Sequence, residues 1–194
     1  MRDQLTGLFS CDEFVERLRE AMTVAQPEDF RLVVLWLDIK RFDRLNEALG
    51  FREGNRALAD VAQALLFAKR AGDTLARLGG DEFGVLMPNT TLSTAFIHAQ
   101  TLRDIVKATL ACYVREACRS GREILAVSPP DRDSEERADV PLTASVGVAT
   151  RTPRAVTAEE LLKNAEERSR LASREGGDLV WMDAPRTLQR EAWR

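Results

Sequence analysis

The sequence predicts one α/β domain, a sandwich of helices against a mixed sheet, and three observations lead there. Apolar runs of strand length alternate with longer segments of helical period, in the order strand, helix, hairpin, helix, strand, helix, strand. Two of the short runs are joined at Gly79 and Gly80, and a Gly-Gly pair is a favoured tight connection. The chain has 194 residues, which suits one sizeable core and is short for two ordinary domains.

Asp3 to Phe9 reads as a loop, and Ser10 with Glu13 has capping-box spacing at the head of a helix. Phe14, Leu18, Ala21, Met22 and Ala25 then recur at helical period until Pro27 closes the segment. Arg31 to Ile39 is a continuous apolar run, too short for a buried helix and best read as a central strand covered on both faces. Phe42 to Gly50 reads as a short helix and turn, and Glu53 to Arg70 as a longer helix with Leu58, Val61, Leu65 and Ala68 on one face. Thr74 to Met87 is the hairpin, its Leu75, Leu78, Phe83, Val85 and Met87 fitting a half-buried sheet. Ala95, Ala99, Leu102, Val106, Leu110 and Tyr113 form the core face of a long helix, on which His98 reads as a packing or surface residue. Residues 122–127 read as a strand and 129–140 as a charged, proline-led loop insertion. Pro141 to Ala149 is another strand. Thr157 caps a helix with Ala158, Leu161, Leu162, Ala165 and Ala172 inward, Gly176 and Gly177 stop it, and Leu179 to Met182 is a last strand. No internal repeat is visible. The domain is expected over 1–183, with 184–194 as a tail.

Apolar residues make up 44% of the chain and charged residues 30%, as in soluble globular proteins, and no apolar run reaches the length of a bilayer span. No stretch reads as a signal peptide. Cys11, Cys112 and Cys118 are odd in number and form no Cys-x-x-Cys pair, which points to free thiols in the cytoplasm. His98 is the only histidine, which excludes histidine-cluster metal sites and Ser/His/Asp catalysis. A net charge of -3 with mixed signs leaves no footprint for a nucleic-acid polymer, so any nucleotide bound is expected to be small.

Candidate chemistry lies at the hairpin. A turn without side chains lets a phosphate approach the backbone, and Asp81 and Glu82 beside it could hold a divalent cation; the plainer reading is a polar hairpin with two solvated acids. Asp38, at the end of the central strand, is either a surface residue that ends the strand or a costly carboxylate that something compensates. If the hairpin pairs with that strand, Asp38, Asp81 and Glu82 can form a three-carboxylate cluster suited to Mg²⁺ or Mn²⁺.

Gly79-Gly80-Asp81-Glu82-Phe83 resembles the signature of the GGDEF domain, the diguanylate cyclase fold related to the palm of nucleotide cyclases and polymerases. The same pattern extends to Asp3-x-Leu-Thr-Gly-Leu8, to Leu37-Asp38-Ile39-x-x-Phe42 with Asn46 and Gly50 behind, to Ala76-Arg77-Leu78, and to Thr143-x-Ser145-x-Gly147-Val148-Ala149. The resemblance runs from Asp3 to about Val180. It implies a palm-like α/β sandwich with a mainly antiparallel sheet, in a bacterial signalling protein that condenses two GTP to cyclic di-GMP and two pyrophosphates in a head-to-head homodimer. It implies further that Asp38, the Ile39 carbonyl and Glu82 hold Mg²⁺ or Mn²⁺ and that Asp81 and Glu82 help deprotonate the attacking 3′-hydroxyl. Asn46, Asn55, Gly79 and Gly80 would contact the substrate. Because the pattern opens at Asp3, the chain is expected to be an output domain fused to other regulatory domains in a longer protein.

Several positions depart from the family pattern, and all touch substrate handling. A second Asp expected two residues after Asp38 is Lys40, a phosphate-binding Lys is Asp43, a guanine-binding Asp is Asn55, and two late cations are Ser173 and Gly177, with Arg174 one residue from the first. Losing two charge-assisted phosphate contacts, at roughly 1.5–3 kcal/mol each, weakens GTP binding by orders of magnitude. Arg70-Ala-Gly-Asp73 stands five residues before Gly79, at the offset of the family's inhibitory product site. Arg70 can donate to guanine O6 and N7 and Asp73 can accept from N1–H and N2–H; the plainer reading is an exposed ion pair. Three functions follow: a cyclic di-GMP receptor with weak or absent cyclase activity, an active product-inhibited cyclase, and a dimerisation or interaction module without nucleotide.

Overall fold

A computed structural model describes residues 1–24, 31–121, 142–151 and 157–182. The elements are α1 (Cys11–Val24), β1 (Val33–Lys40), α2 (Phe42–Leu49), α3 (Phe51–Ala68), β2 (Thr74–Gly79), β3 (Glu82–Met87), α4 (Leu92–Arg119), β4 (Thr143–Thr150), α5 (Ala158–Arg174) and β5 (Val180–Met182). The strands form one sheet in the order β2-β3-β1-β4-β5. It is mixed and mainly antiparallel: only the β4–β5 pair runs parallel. The expected strand at 122–127, the loop at 129–140, Ala25 and Pro27, and the 184–194 tail lie outside the described residues.

The unbroken apolar run of β1 is explained by its place at the centre of the sheet, since residues of alternating orientation meet a core on each side. Val33, Leu35, Leu37 and Ile39 join one buried cluster with Ala57, Val61 and Leu65 of α3 and Ala99, Leu102 and Val106 of α4. Val34 and Trp36 join a second with Phe14 and Leu18 of α1 and Leu161 and Ala165 of α5. Asp38 and Lys40 continue this second row, so the α1/α5 face of the sheet ends in polar side chains. Among the described residues no helix is long and apolar enough to cross a membrane.

Helix α5 starts at a full capping box: Thr157 accepts from the Glu160 N–H at 3.1 Å and the Glu160 carboxylate accepts from the Thr157 N–H at 2.9 Å, an arrangement worth about 1 kcal/mol. At α1 only half of the expected box forms. Ser10 Oγ accepts from the Glu13 N–H at 3.4 Å, but the Glu13 carboxylate turns to the Met1 ammonium at 2.7 Å and to Arg17 at 2.9 Å. Two cations within reach are better partners for that carboxylate than one neutral N–H.

The hairpin also differs from its sequence reading in one detail. Gly79 pairs with Glu82, so the central turn residues are Gly80 and Asp81 rather than the two glycines. Gly80 has φ +32, while Gly79 belongs to β2 beyond an irregularity at Arg77–Gly79. The side chain of Leu78 there lies over Gly84, where an added Cβ would meet it at 3.0 Å.

Candidate functional site

The β1–β3 register pairs Asp38 directly with Glu82, and the Ile39 N–H donates to the Asp81 carbonyl at 3.2 Å. The hairpin tip is thus pinned to the end of the central strand. A second brace holds it from the other side: Arg77 Nε and Nη2 donate to the Gly80 carbonyl at 3.0 and 2.7 Å, and Nη1 donates to Asp3. Asp3 is itself fixed by the Thr6 N–H and hydroxyl. Asp3 and Arg77 therefore hold the turn, a role that sequence spacing does not reveal.

The acids at the tip are electrostatically uncomfortable. Burial, then the Asp38 charge, raises the Glu82 pKa above the usual carboxylate range, opposed by a 3.3 Å hydrogen bond from Trp36 Nε1 to Oε1. Asp81 is raised too, first by burial and also by Asp38 and Asp43, with Lys40 opposing. A raised carboxylate pKa contributes stability at pH values below the ordinary range and loses it as pH climbs through the folded-state value. Glu82→Gln is therefore expected to raise Tm relative to wild type at pH 8 and to leave it unchanged at pH 3.5, as a thermal melt at the two pH values would measure.

These acids do not converge on a metal position. Lys40 Nζ is bonded to the Asp38 carboxylate, and the two side chains are 25% and 16% exposed. Glu82 is engaged by the Trp36 indole. Among the described residues no three His, Cys, Asp or Glu side chains come close enough together to hold a metal ion. The donor set expected from Asp38, Ile39 and Glu82 is present in sequence, but the residues as arranged fit a tethered ammonium better than a divalent cation.

Asn46 packs against α3 at Gly54. Gly54 sits inside α3, where glycine costs about 1 kcal/mol relative to alanine, and a Cβ there would lie 1.8 Å from Asn46 Oδ1. The missing side chain makes room for the Asn46 amide, one position from the exposed Asn55. At the positions where the family pattern expects cations, Asp43 is exposed in the first turn of α2, Ser173 is the last residue but one of α5, and Gly177 adopts φ +76, a conformation that disfavours any side chain.

At the opposite end of the hairpin, Arg70 and Asp73 close on each other. Arg70 Nε donates to Asp73 Oδ2 at 3.1 Å and Nη2 to Oδ1 at 2.9 Å, while Nη2 also donates to Thr90. The Arg70 N–H donates to Asp73 Oδ2 as well. Asp73 is 2% exposed and Arg70 36%. In this arrangement the carboxylate is turned to its own arginine and is shut off from a ligand; the side chain open to one is Arg70, with both Nη1 hydrogens outside these bonds. His98 lies behind, its buried Nε2 3.8 Å from Asp73 Oδ2. Burial keeps the imidazole pKa low despite the nearby Asp73 charge. Cys11, Cys112 and Cys118 are all free.

The sequence profile of the diguanylate cyclase GGDEF domain matches residues 1–127. The chain belongs to the GGDEF family. It is 33% identical over 166 residues to MucR of Pseudomonas aeruginosa, a bifunctional diguanylate cyclase/cyclic di-GMP phosphodiesterase, an alignment that covers 86% of this chain and 21% of that protein. Among solved structures, this GGDEF domain is similar to the diguanylate cyclase SiaD of P. aeruginosa, with 30% identity and TM-score 0.72 over 93% of this chain and 61% of SiaD. It is likewise similar to the GGDEF domain of YfiN (TpbB) from the same organism, with 27% identity and TM-score 0.70 over 97% and 99% of the two chains. The GGDEF domain of DgcB from Caulobacter crescentus, solved with c-di-GMP, shares the fold at 21% identity and TM-score 0.71, over 93% and 94% of the chains. GGDEF diguanylate cyclases generally use Mg²⁺ or Mn²⁺. The chain spans about a quarter or less of the length of most curated relatives it matches, 25% for an uncharacterized protein of Mycobacterium tuberculosis and 21% for MucR.

Proposed function

We propose that this GGDEF domain binds cyclic di-GMP through Arg70 and Asp73 and that its diguanylate cyclase activity is weak or absent. The observation that carries the reading is the Arg70 guanidinium, oriented by a buried carboxylate yet about one-third exposed. An arginine fixed in this way loses little freedom on meeting the O6/N7 edge of guanine. Nη1 makes the first contact, and release of Asp73 or Thr90 would supply a second parallel donor. Asp73 acts first as the residue that orients Arg70.

Weak turnover follows from the substrate side. Asp43, Asn55, Ser173 and Gly177 remove the charges that a triphosphate and a guanine would use, and Lys40 already occupies Asp38. Arg174, exposed in the last turn of α5, adjoins Ser173 in sequence. The second reading, an active product-inhibited cyclase, is favoured by the Asp38–Glu82 register. In that reading GTP would bring Mg²⁺ or Mn²⁺ to Asp38, the Ile39 carbonyl and Glu82, with Asn46, Asn55, Gly79 and Gly80 around the nucleotide and two copies meeting head to head. The domain extends over 1–183 in both readings, within a longer bacterial, cytoplasmic regulatory protein.

Two measurements test this. Calorimetry with cyclic di-GMP is expected to give saturable binding, and its absence at millimolar ligand overturns the receptor reading. Incubation with GTP and Mg²⁺ or Mn²⁺ at high protein concentration is expected to release little pyrophosphate; rapid release replaces this reading with the cyclase.

A further inference from the structure

We infer that Lys40 is the resident cation at Asp38, and that it excludes divalent ions from the end of the sheet where Asp38 pairs with Glu82. The inference rests on the reading of these acids as the GGDEF acidic site and explains why turnover is weak. Three observations carry it. Lys40 and Asp38 are two apart on one strand and so share a face, and the Lys40 ammonium is bonded to the Asp38 carboxylate. The tether is short and built into the sheet, so the ammonium is held at high local concentration. The Lys40 stem passes beside Gly177: a Cβ there would lie at ordinary contact distance from it, 3.5 Å from Lys40 Cγ, and 3.3 Å from Thr143 Oγ1. Gly177 is held there by its own N–H, which donates to the Ala172 carbonyl at 3.1 Å.

A second acid is engaged as well. Glu82 accepts from the Trp36 indole at 3.3 Å, so one of its oxygens is directed to the sheet rather than to a shared ion. A divalent cation would have to break the Lys40–Asp38 bond, stand beside the ammonium it displaced, and complete its shell of oxygens from a cluster in which no three carboxylates converge. Lysine balances the Asp38 charge without the set of oxygen ligands that a divalent ion requires. The site is therefore expected to be indifferent to divalent ions, and cyclic di-GMP binding at Arg70 to need none.

The Trp36–Glu82 contact supplies a reporter, because Tb³⁺ bound at Glu82 would be excited through the adjacent indole. Wild-type protein titrated with Tb³⁺ is expected to show no saturable tryptophan-sensitised emission that Glu82→Gln removes. Lys40→Asp, which exchanges the ammonium for a carboxylate, is expected to gain such emission, competed by Mn²⁺ and saturating within the Tb³⁺ range over which wild type shows none. Lys40→Met keeps the apolar stem and serves the same comparison if Lys40→Asp does not fold. Saturable, Glu82-dependent emission from the wild type overturns the inference, as does a folded Lys40 variant with no gain. Calorimetry with cyclic di-GMP in chelator reads Arg70 alone, so failure of the receptor reading and failure of this inference are separable.

Discussion

Replacing Gly147 with alanine is expected to cost the domain about 3 kcal/mol or more and to lower its Tm by about 10 °C. Gly147 lies in β4 opposite Trp36 of β1 and Trp181 of β5. Helix α5 crosses the sheet directly over it. A Cβ would lie 1.9 Å from the Ala165 carbonyl oxygen and 2.3 Å from the Ser169 nitrogen. Both are backbone atoms, so no rotamer change relieves the collision and the helix itself must move. That movement would open the core that Leu161 and Ala165 share with Trp36 and Val34, and it would break the 3.2 Å hydrogen bond from Ser169 Oγ to the Ser145 carbonyl. Against a total stability of about 5–15 kcal/mol the loss is severe. Gly84→Ala is the control: the atoms nearest its Cβ belong to the Leu78 side chain, at 3.0 Å, which can turn aside. Thermal or urea unfolding of the two variants is expected to separate them clearly, and equal stabilities would contradict the packing described here.

Arg70→Ala is expected to lower cyclic di-GMP affinity about 100-fold or beyond detection, measured by calorimetry. Each charge-assisted hydrogen bond lost to the guanine edge is worth about 1.5–3 kcal/mol, and every 1.4 kcal/mol is a factor of ten in affinity. The same change leaves Asp73 almost fully buried with only the backbone N–H of residue 70 among the donors described above, so some loss of stability is expected as well. Melting temperatures taken alongside distinguish a folded non-binder from an unfolded one. Arg70→Lys sharpens the test: the ammonium can keep the charge beside Asp73 but cannot offer a planar fork. It is expected to restore most of the stability and little of the affinity. Undiminished binding in folded Arg70→Ala would exclude the site.

Much of the fold could be read from the chain because its signals are local. The continuous apolar run from Arg31 to Ile39 implied a strand with both faces covered, and β1 is the central strand. Thr157 and Glu160 implied a capped helix and form the complete box. Ser10 and Glu13 have the same spacing and form half of one, because Glu13 is diverted by Arg17, one helical turn further on, and by the Met1 ammonium, which the fold of the N-terminal loop brings to it. The turn centred on Gly80 and Asp81, rather than on the glycine pair, depends on the register of β2 against β3, which no pattern of types specifies.

The site divides in the same way. The amino-acid sequence by itself determined the family, the order of the elements, and the presence of Asp38, Asp81, Glu82, Arg70 and Asp73 at their offsets, because residue type and spacing are properties of the chain. Only the tertiary structure decided what those groups face: that Lys40 sits on Asp38, that Trp36 holds Glu82, that Arg77 and Asp3 brace the turn, and that Asp73 is buried behind Arg70. The physical reason is that the strength of a charge or a hydrogen bond depends on distance, orientation and access to water, and these arise where strands and helices distant in sequence are packed together.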